Sequence, residues 1–350
     1  RNLHSRFRRG QLVGAGIVSV QSFNLDFHST VLSVKCPKTE WSERVRTVFS
    51  GFVRPFDASG AGFTLVLQDT ANPADHALPL TYSGKMSDGQ DARIFQDDDR
   101  TLIELEGGTS VTINHADRTA TAFLAEGSAF RFFGTALMTV VDAALSAEGR
   151  QCVHSASLMI PGTDKAVLMC VPSGGGKTTT ALALARGGFN LITDDSTVLV
   201  KEDGGFRIWG MPRALKVHRN TAKLLPWIGL PDENWDDNGE KPVAMSDLAG
   251  KAGTAPDAVC NLGAIIMIGP RSPHGHVIAK TGKAEVLIAL AHDNVGWRAA
   301  GMTPKAMQSY VLFAEAVQSV PVLKLSAGTD LAALPGMVES ALAHAVADAS

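Results

Sequence analysis

Residues 166 to 195 constrain this chain more than any other stretch. The apolar run Ala166-Val167-Leu168-Met169-Cys170-Val171 passes into Pro172-Ser173-Gly174-Gly175-Gly176-Lys177-Thr178-Thr179, and Ala181-Leu182-Ala183-Leu184-Ala185 follows. Gly187-Gly188-Phe189, Leu191-Ile192 and Asp194-Asp195 complete it. This order predicts a strand, a glycine-rich loop, a helix ended by Gly187, a second strand beside the first, and an acidic pair at its end. Three glycines in a row leave backbone N–H groups free to surround an anion. Lys177 and Thr178 stand where the helix begins, with the positive end of its dipole facing that anion. The pattern Gly-x-x-x-x-Gly-Lys-Ser/Thr is a phosphate loop; Gly176, Lys177 and Thr178 match it, and Val171 holds the position of the first glycine. The expected nucleotide contacts are therefore Ser173, Gly174, Gly175, Gly176, Lys177, Thr178 and Thr179. In this role Lys177 holds the β- and γ-phosphates and the Thr178 hydroxyl helps ligate magnesium.

Asp194 and Asp195 end the second predicted strand, within reach of a γ-phosphate. Magnesium takes hard oxygen ligands and needs few of them from the protein, so Thr178 and one carboxylate suffice, and either aspartate can supply it. The other carboxylate is free to accept a hydroxyl proton. Two adjacent carboxylates raise each other's proton affinity, which suits that role. His154 lies upstream on a predicted apolar strand, where a single histidine reads as a packing residue on residue grounds alone.

Charge narrows the ligand. With 32 Lys and Arg against 35 Asp and Glu, the formal net charge is −3, so no electrostatic excess draws the chain to nucleic acid or anionic membrane. A small charged ligand is expected instead. No apolar run reaches the roughly 18 residues of a membrane span, and the Arg-rich opening lacks the apolar core of a signal peptide. Cys36, Cys152, Cys170 and Cys260 are scattered, with no Cys-x-x-Cys or zinc-like spacing. A soluble, cytoplasmic chain with reduced thiols is the expectation.

At 350 residues the chain suits one large or two modest domains. From about residue 17 to 124 the pattern is β-like, with strands over Phe63 to Leu67 and Thr101 to Leu105 and a hairpin from Ser110 to Phe123. Residues 69 to 100 read as loop, and Asp97-Asp98-Asp99 within them as a solvated turn. A helix is predicted over Phe130 to Leu145, stopped by Gly149, then one strand over Cys152 to Ile160 and a turn at Pro161 to Lys165. Thr197 to Lys201 and Phe206 to Trp209 form a hairpin around Asp203-Gly204-Gly205, and residues 226 to 257 are loop-rich. Ala264 to Ile268 is a buried strand. Helices follow near Lys283 to His292 and Pro304 to Gln318, then a strand over Val320 to Leu325 and a last helix with Thr329 as its N-cap. Such alternation argues for an α/β domain. The expected division is a β-rich region over residues 1–128 and an α/β domain over 129–350.

The order His154, then Pro172 to Thr178, Ala181 to Leu184, Gly187-Gly188-Phe189 and Asp194-Asp195 resembles the catalytic domain of HPr kinase/phosphorylase. The phosphate loop and aspartate pair are also similar to those of phosphoenolpyruvate carboxykinase. The likeness covers about residues 154 to 195, is looser toward the C-terminus, and does not extend over 1 to 125. It implies an α/β fold with a P-loop catalytic domain, with Lys177 on phosphate, Thr178 and one aspartate on magnesium, Asp195 as base for a serine hydroxyl, and His154 beside the transferring phosphoryl. Asp194 and Asp195 can exchange roles. The bifunctional enzymes carry a Glu-x-Arg-Gly-Leu-Gly-type segment after the acidic pair; here Gly210-Met211-Pro212-Arg213-Ala214-Leu215-Lys216 stands instead. Phosphorolysis is therefore not implied.

The remaining features are similar to HPr-kinase-related proteins of peptide-modification clusters, including lasso peptide kinases that phosphorylate a serine of a precursor peptide. Arg213 and Lys216 fit a basic segment of those relatives, and Lys241 is a further candidate cation for phosphate or an acidic peptide end. The resulting expectation is a serine kinase using ATP and Mg2+, with a peptide or small-protein acceptor, no nucleic-acid or membrane partner, and self-association into a homo-oligomer left open. Two rivals are a small-molecule phosphotransferase and a non-catalytic nucleotide-sensing module.

Overall fold

The structure, a computed structural model, describes residues 20–60, 62–70, 78–86, 88–171, 175–295 and 302–347. It is a mixed α/β protein built on two large sheets, the first of them in a β-rich N-terminal part.

The first sheet uses β1 (Gln21–Phe27), β2 (Thr30–Cys36), β3 (Val53–Pro55), β4 (Phe63–Gln68), β5 (Leu80–Lys85), β6 (Asp91–Gln96), β7 (Arg100–Leu105), β8 (Ser110–Asn114) and β9 (Thr119–Phe123), in the order β3-β1-β2-β4-β9-β8-β7-β6-β5. Alternation sets its buried face: Phe63, Leu65 and Leu67 point inward from β4 while Thr64 and Val66 are half-buried. Two strands, β5 and β6, occupy the stretch expected as loop. In β5 only Gly84 is even partly buried, so no hydrophobic alternation marks it. Asp97-Asp98-Asp99 forms the β6–β7 turn, where Asp97 Oδ1 accepts the N–H groups of Asp99 (3.0 Å) and Arg100 (2.7 Å). Helix α1 (Thr39–Val48) was not signalled by the pattern, because only Trp41, Ser42 and Val45 of its ten residues are buried.

The predicted helix after residue 130 begins as a short 3-10 turn, Ala129–Phe133, breaks at Gly134 and continues as α2 (Thr135–Ala147). Leu137, Val140, Val141 and Leu145 of α2 enter the same core as Leu25, Leu65 and Ile113 of the first sheet. By packing, α2 thus belongs with the N-terminal part, and the expected boundary at 128/129 cuts through a core.

The second sheet comprises β10 (Gln151–His154), β11 (Ala156–Met159), β12 (Lys165–Cys170), β13 (Asn190–Thr193), β14 (Ser196–Glu202), β15 (Gly205–Gly210), and, beyond the ribbon of β16 (Leu215–His218) and β17 (Glu240–Val243), β18 (Val259–Ile268), β19 (Val277–Lys280) and β20 (Val322–Ser326). Its main path runs β10-β14-β15-β18-β12-β11-β13, with β20 on β18 and β19 on β20. β18 pairs in parallel with β12 on one side and with β20 on the other. Helices α3 (Lys177–Arg186), α4 (Arg219–Leu224), α5 (Lys283–Asn294), α6 (Pro304–Ser319) and α7 (Leu334–Ala347) complete the chain.

Both faces of this sheet are covered, which is why its central strands are almost continuously apolar. Val167, Met169 and Val171 pack with α3 and α7, whereas Ala166, Leu168 and Cys170 pack with α5 and α6. Val171 is buried, so the position where a generic phosphate loop has glycine is here still a packing position. β18 keeps step with β12 by a bulge that skips Gly263. Two expectations change. The segment read as one strand over Cys152 to Ile160 is β10 and β11, broken at Ser155. The turn before α7 is capped by the Asp330 carboxylate, which accepts from Ala332 and Ala333, rather than by Thr329.

Candidate active site

The break at Ser155 is what assembles the site. β11 runs antiparallel to both β12 and β13 and lies between them, with Ala156 opposite Met169 and Ser157 opposite Thr193. The first residues of β11 therefore lie at the carboxyl ends of β12 and β13. There β12 feeds the loop into α3, and β13 ends in Asp194-Asp195. β13 is consequently not beside β12, as expected from the sequence, but one strand away. The corner is held by the Ser155 N–H donating to the Asp195 carbonyl at 3.2 Å and by the buried Thr197 hydroxyl donating to the Ser155 carbonyl at 3.2 Å. Gly210 allows β15 to close over it: a Cβ there would sit 2.9 Å from the Ile192 carbonyl oxygen and 3.0 Å from Thr193 Cβ.

At this edge four predicted residues meet. Lys177 Nζ lies 3.0 Å from His154 Nε2, His154 Nδ1 lies 3.0 Å from Asp195 Oδ1, and Lys177 Nζ lies 4.0 Å from the same oxygen. Arg213 Nη1 donates to Asp195 Oδ2 at 3.0 Å. An ammonium has no lone pair, so Nε2 accepts from Lys177 while Nδ1 faces Asp195 as the donor. Asp194 turns the other way and accepts from the Thr178 hydroxyl at 3.0 Å. Gly176, the N-cap of α3, has φ 90°, a conformation suited to glycine, and starts the helix that presents Lys177 and Thr178.

These surroundings drive the two aspartates apart. Burial, reinforced by the negative charge of Asp195, pushes the Asp194 carboxyl up to about 6 against the opposing Thr178 hydrogen bond and Lys177 charge. Burial also works to raise Asp195, but the hydrogen bond and charge of His154, with the charges of Lys177 and Arg213, outweigh it and hold that carboxyl well below the ordinary range. Mutual elevation, expected of adjacent carboxylates, thus survives only at Asp194. Burial pulls the Lys177 ammonium down, opposed by Asp195, Asp194 and Asp293.

The side chains fit magnesium and a triphosphate. Thr178 Oγ1 and Asp194 Oδ2 are both hard oxygens, and their 3.0 Å separation is about that of neighbouring corners of an octahedron with metal–oxygen bonds of about 2.1 Å. Among the described residues no group of three or more His, Cys, Asp or Glu forms a metal cage. The pair therefore suits a cation that takes most of its ligands from water and phosphate. A cavity of about 1160 Å3 opens over these residues, more than the roughly 300–1,000 Å3 of common ligand sites.

Comparison with protein-family models and with curated proteins returns no match for this chain.

The remaining predicted residues divide. Ser173 and Gly174 lie outside the described residues, whereas Gly175 and Gly176 line the cavity. Thr179 also lines it, but its hydroxyl is engaged by Thr221 at 2.7 Å, which ties α3 to α4. Lys216 lines the cavity with Glu240 4.0 Å away. Lys241 is not among the described lining residues: its ammonium donates to the carbonyls of Pro231 (3.1 Å) and Glu233 (2.6 Å) and stands over Trp235. Replacing Lys241 by alanine is expected to leave nucleotide affinity within twofold by calorimetric titration, while costing about 1 kcal/mol of stability in denaturant unfolding.

Sequence reasoning missed Arg271, Lys223, His218 and Asn294. Arg271 stands just past the carboxyl end of parallel β18, where ligands gather in such sheets, so that rule applied to the predicted strand Ala264 to Ile268 would have flagged it. A second cavity, of about 570 Å3, lies on the first sheet; its charged residues pair locally, Arg93 with Glu104 at 2.6 Å and Glu106 with Arg131 at 2.8 Å. The four cysteines are free thiols, and burial pushes Cys170 up to about 12, which makes it inert. No helix among the described residues is long and apolar enough to cross a membrane.

Proposed function

We propose that this protein is an ATP- and magnesium-dependent kinase with an HPr-kinase-like P-loop domain, transferring the γ-phosphoryl to a serine hydroxyl of a peptide or small protein. A ribosomal precursor peptide of the lasso type is the acceptor class favoured by the sequence resemblance. The observation that carries the reading is the convergence of Lys177, His154, Asp195 and the Thr178–Asp194 pair on one sheet edge, at the mouth of α3.

The roles follow from the pairing. Thr178 and Asp194 would hold magnesium, which would supply charge neutralisation for the phosphates. Lys177 and the loop N–H groups bind the phosphates. Asp195 takes the serine proton, but with Lys177 and Arg213 beside it its basicity is too low for that task. A triphosphate competes for both cations. As they turn to phosphate, Asp195 keeps only His154, and its proton affinity rises toward the ordinary carboxylate value. His154 then orients the base, and deprotonation is confined to the nucleotide-loaded state.

The full engagement of Asp195 also suits the sensing module, in which nucleotide binding rearranges these contacts without transfer. Incubation with ATP, magnesium and candidate serine peptides separates the two. One added phosphoryl mass on a peptide, with stoichiometric ADP, is expected. Tight ATP binding without turnover across the candidate acceptors would refute the kinase reading and leave the sensor.

A further inference from the structure

We propose that Asn294, the last residue of α5, is a positioning residue that sets the imidazole of His154. The kinetic part of the inference rests on the kinase reading; the structural part does not.

β10 is the outer strand of its sheet and pairs, among the described residues, with β14 alone. Successive backbone N–H groups of a strand point to opposite sides. The Ser155 N–H points inward, to the Asp195 carbonyl, so the His154 N–H faces the open edge. Asn294 Oδ1 accepts it at 2.5 Å, and Asn294 Nδ2 donates to the Leu290 carbonyl at 2.9 Å. Since a carbonyl only accepts, the second bond fixes which end of the amide faces His154. Leu290, Ala291 and Val295 are buried against the second sheet, so the clamp stands on a rigid support.

What the clamp holds is the last residue of a strand, at the point where the chain leaves one pairing for another. The ring of that residue makes two contacts of 3.0 Å, to Asp195 and to Lys177. Both depend on where the His154 backbone lies. Without Asn294 the N–H opens to solvent at an unpaired edge, the end of β10 frays, and the ring drifts from Asp195. Misplacement by about 1 Å can cost as much as 100-fold in rate. The neighbouring Asp293 acts on Lys177 through its charge, so the end of α5 also bears on one partner of the imidazole.

Three variants test this. Asn294→Ala removes the acceptor. Asn294→Asp keeps it but puts a carboxylate at a helix C-terminus, which the dipole disfavours. His154→Ala removes the group to be positioned. In the nucleotide-free protein, spectra of 15N-labelled histidine should show the His154 Nδ1–H proton downfield and protected in the wild type and in N294D, and lost to exchange in N294A. N294A should transfer phosphoryl about tenfold more slowly with nucleotide KM within twofold, and should have no further effect in the H154A background. N294D should melt lower than the wild type yet transfer faster than N294A. Should N294A not fold, N294Q, which displaces the amide by one methylene, carries the same expectation. An unchanged Nδ1–H signal, rates that follow melting temperature rather than the acceptor, or a tenfold loss persisting without His154 each overturns the assignment. A wild-type protein with no transfer activity refutes the kinase reading alone, and the spectra then decide the role of Asn294.

Discussion

Asp195→Asn lowers phosphoryl transfer by about 10³-fold while nucleotide affinity stays the same or rises a few-fold. A positioned general base contributes about 10²–10⁴ in rate, and the amide oxygen of asparagine cannot take up a serine proton. It can still accept the Nδ1–H of His154, so the geometry of the imidazole is kept. Affinity does not fall because the lost carboxylate competes with phosphate for Lys177 and Arg213 in the nucleotide-free protein. Single-turnover transfer with calorimetric titration of ATP checks both halves. Transfer within tenfold of the wild type would mean that the proton leaves by another route.

The companion change, Asp194→Asn, separates stability from function. The folded protein holds the Asp194 proton more tightly than the unfolded chain, whose ordinary value is 3.8 against about 6 when buried. Between those values the folded state binds more protons, so stability falls as pH rises through that window and stays lower above it. A displacement of about two units corresponds to on the order of 2–3 kcal/mol at neutral pH. Asparagine removes the cost of a buried charge and can still accept from Thr178. This is the one substitution at the site expected to raise the melting temperature, by a few degrees at pH 7, with the advantage vanishing below about pH 4. Magnesium-dependent transfer should fall about 10²–10³-fold, because a neutral amide is a weak ligand for so hard a cation. Asp195 has the opposite sign, its folded-state proton affinity being depressed, so it contributes stability above the ordinary carboxylate value that is lost as pH falls below it. Calorimetric scans from pH 4 to 8 test the first sign; a D194N protein less stable than the wild type at pH 7 would contradict it.

The strand and helix on either side of the glycines were legible in the sequence because each has a local cause: an apolar run, an Ala/Leu helix and a glycine stop. The hairpins over Ser110 to Phe123 and Thr197 to Trp209 were legible for the same reason. The split of Cys152 to Ile160 was not, since both pieces are apolar and only the change of pairing partner divides them. Asn294 was invisible because it lies 140 residues from the backbone N–H it accepts. The contrast between Asp194 and Asp195 was equally hidden. Adjacent in sequence, they face a hydroxyl on one side and two cations with an imidazole on the other, an asymmetry made by three other segments.

The shared core has a consequence for dissecting the molecule. Val198, Val200 and Trp209 of the second sheet's hairpin, with Met211 just after it, are buried together with Leu25, Val34 and Leu145. His28, at the tip of the first hairpin, meets the Trp209 ring edge-on at 5.2 Å, and Arg150 reaches across to the Thr30 hydroxyl at 2.6 Å. That same hairpin leads directly from Asp195 to Arg213. An excised fragment starting at residue 129 would carry Lys177, His154, Asp194 and Asp195 yet expose a wide apolar face beside them, and is expected to aggregate. The described strands of the N-terminal part thus complete the core on which the candidate site rests.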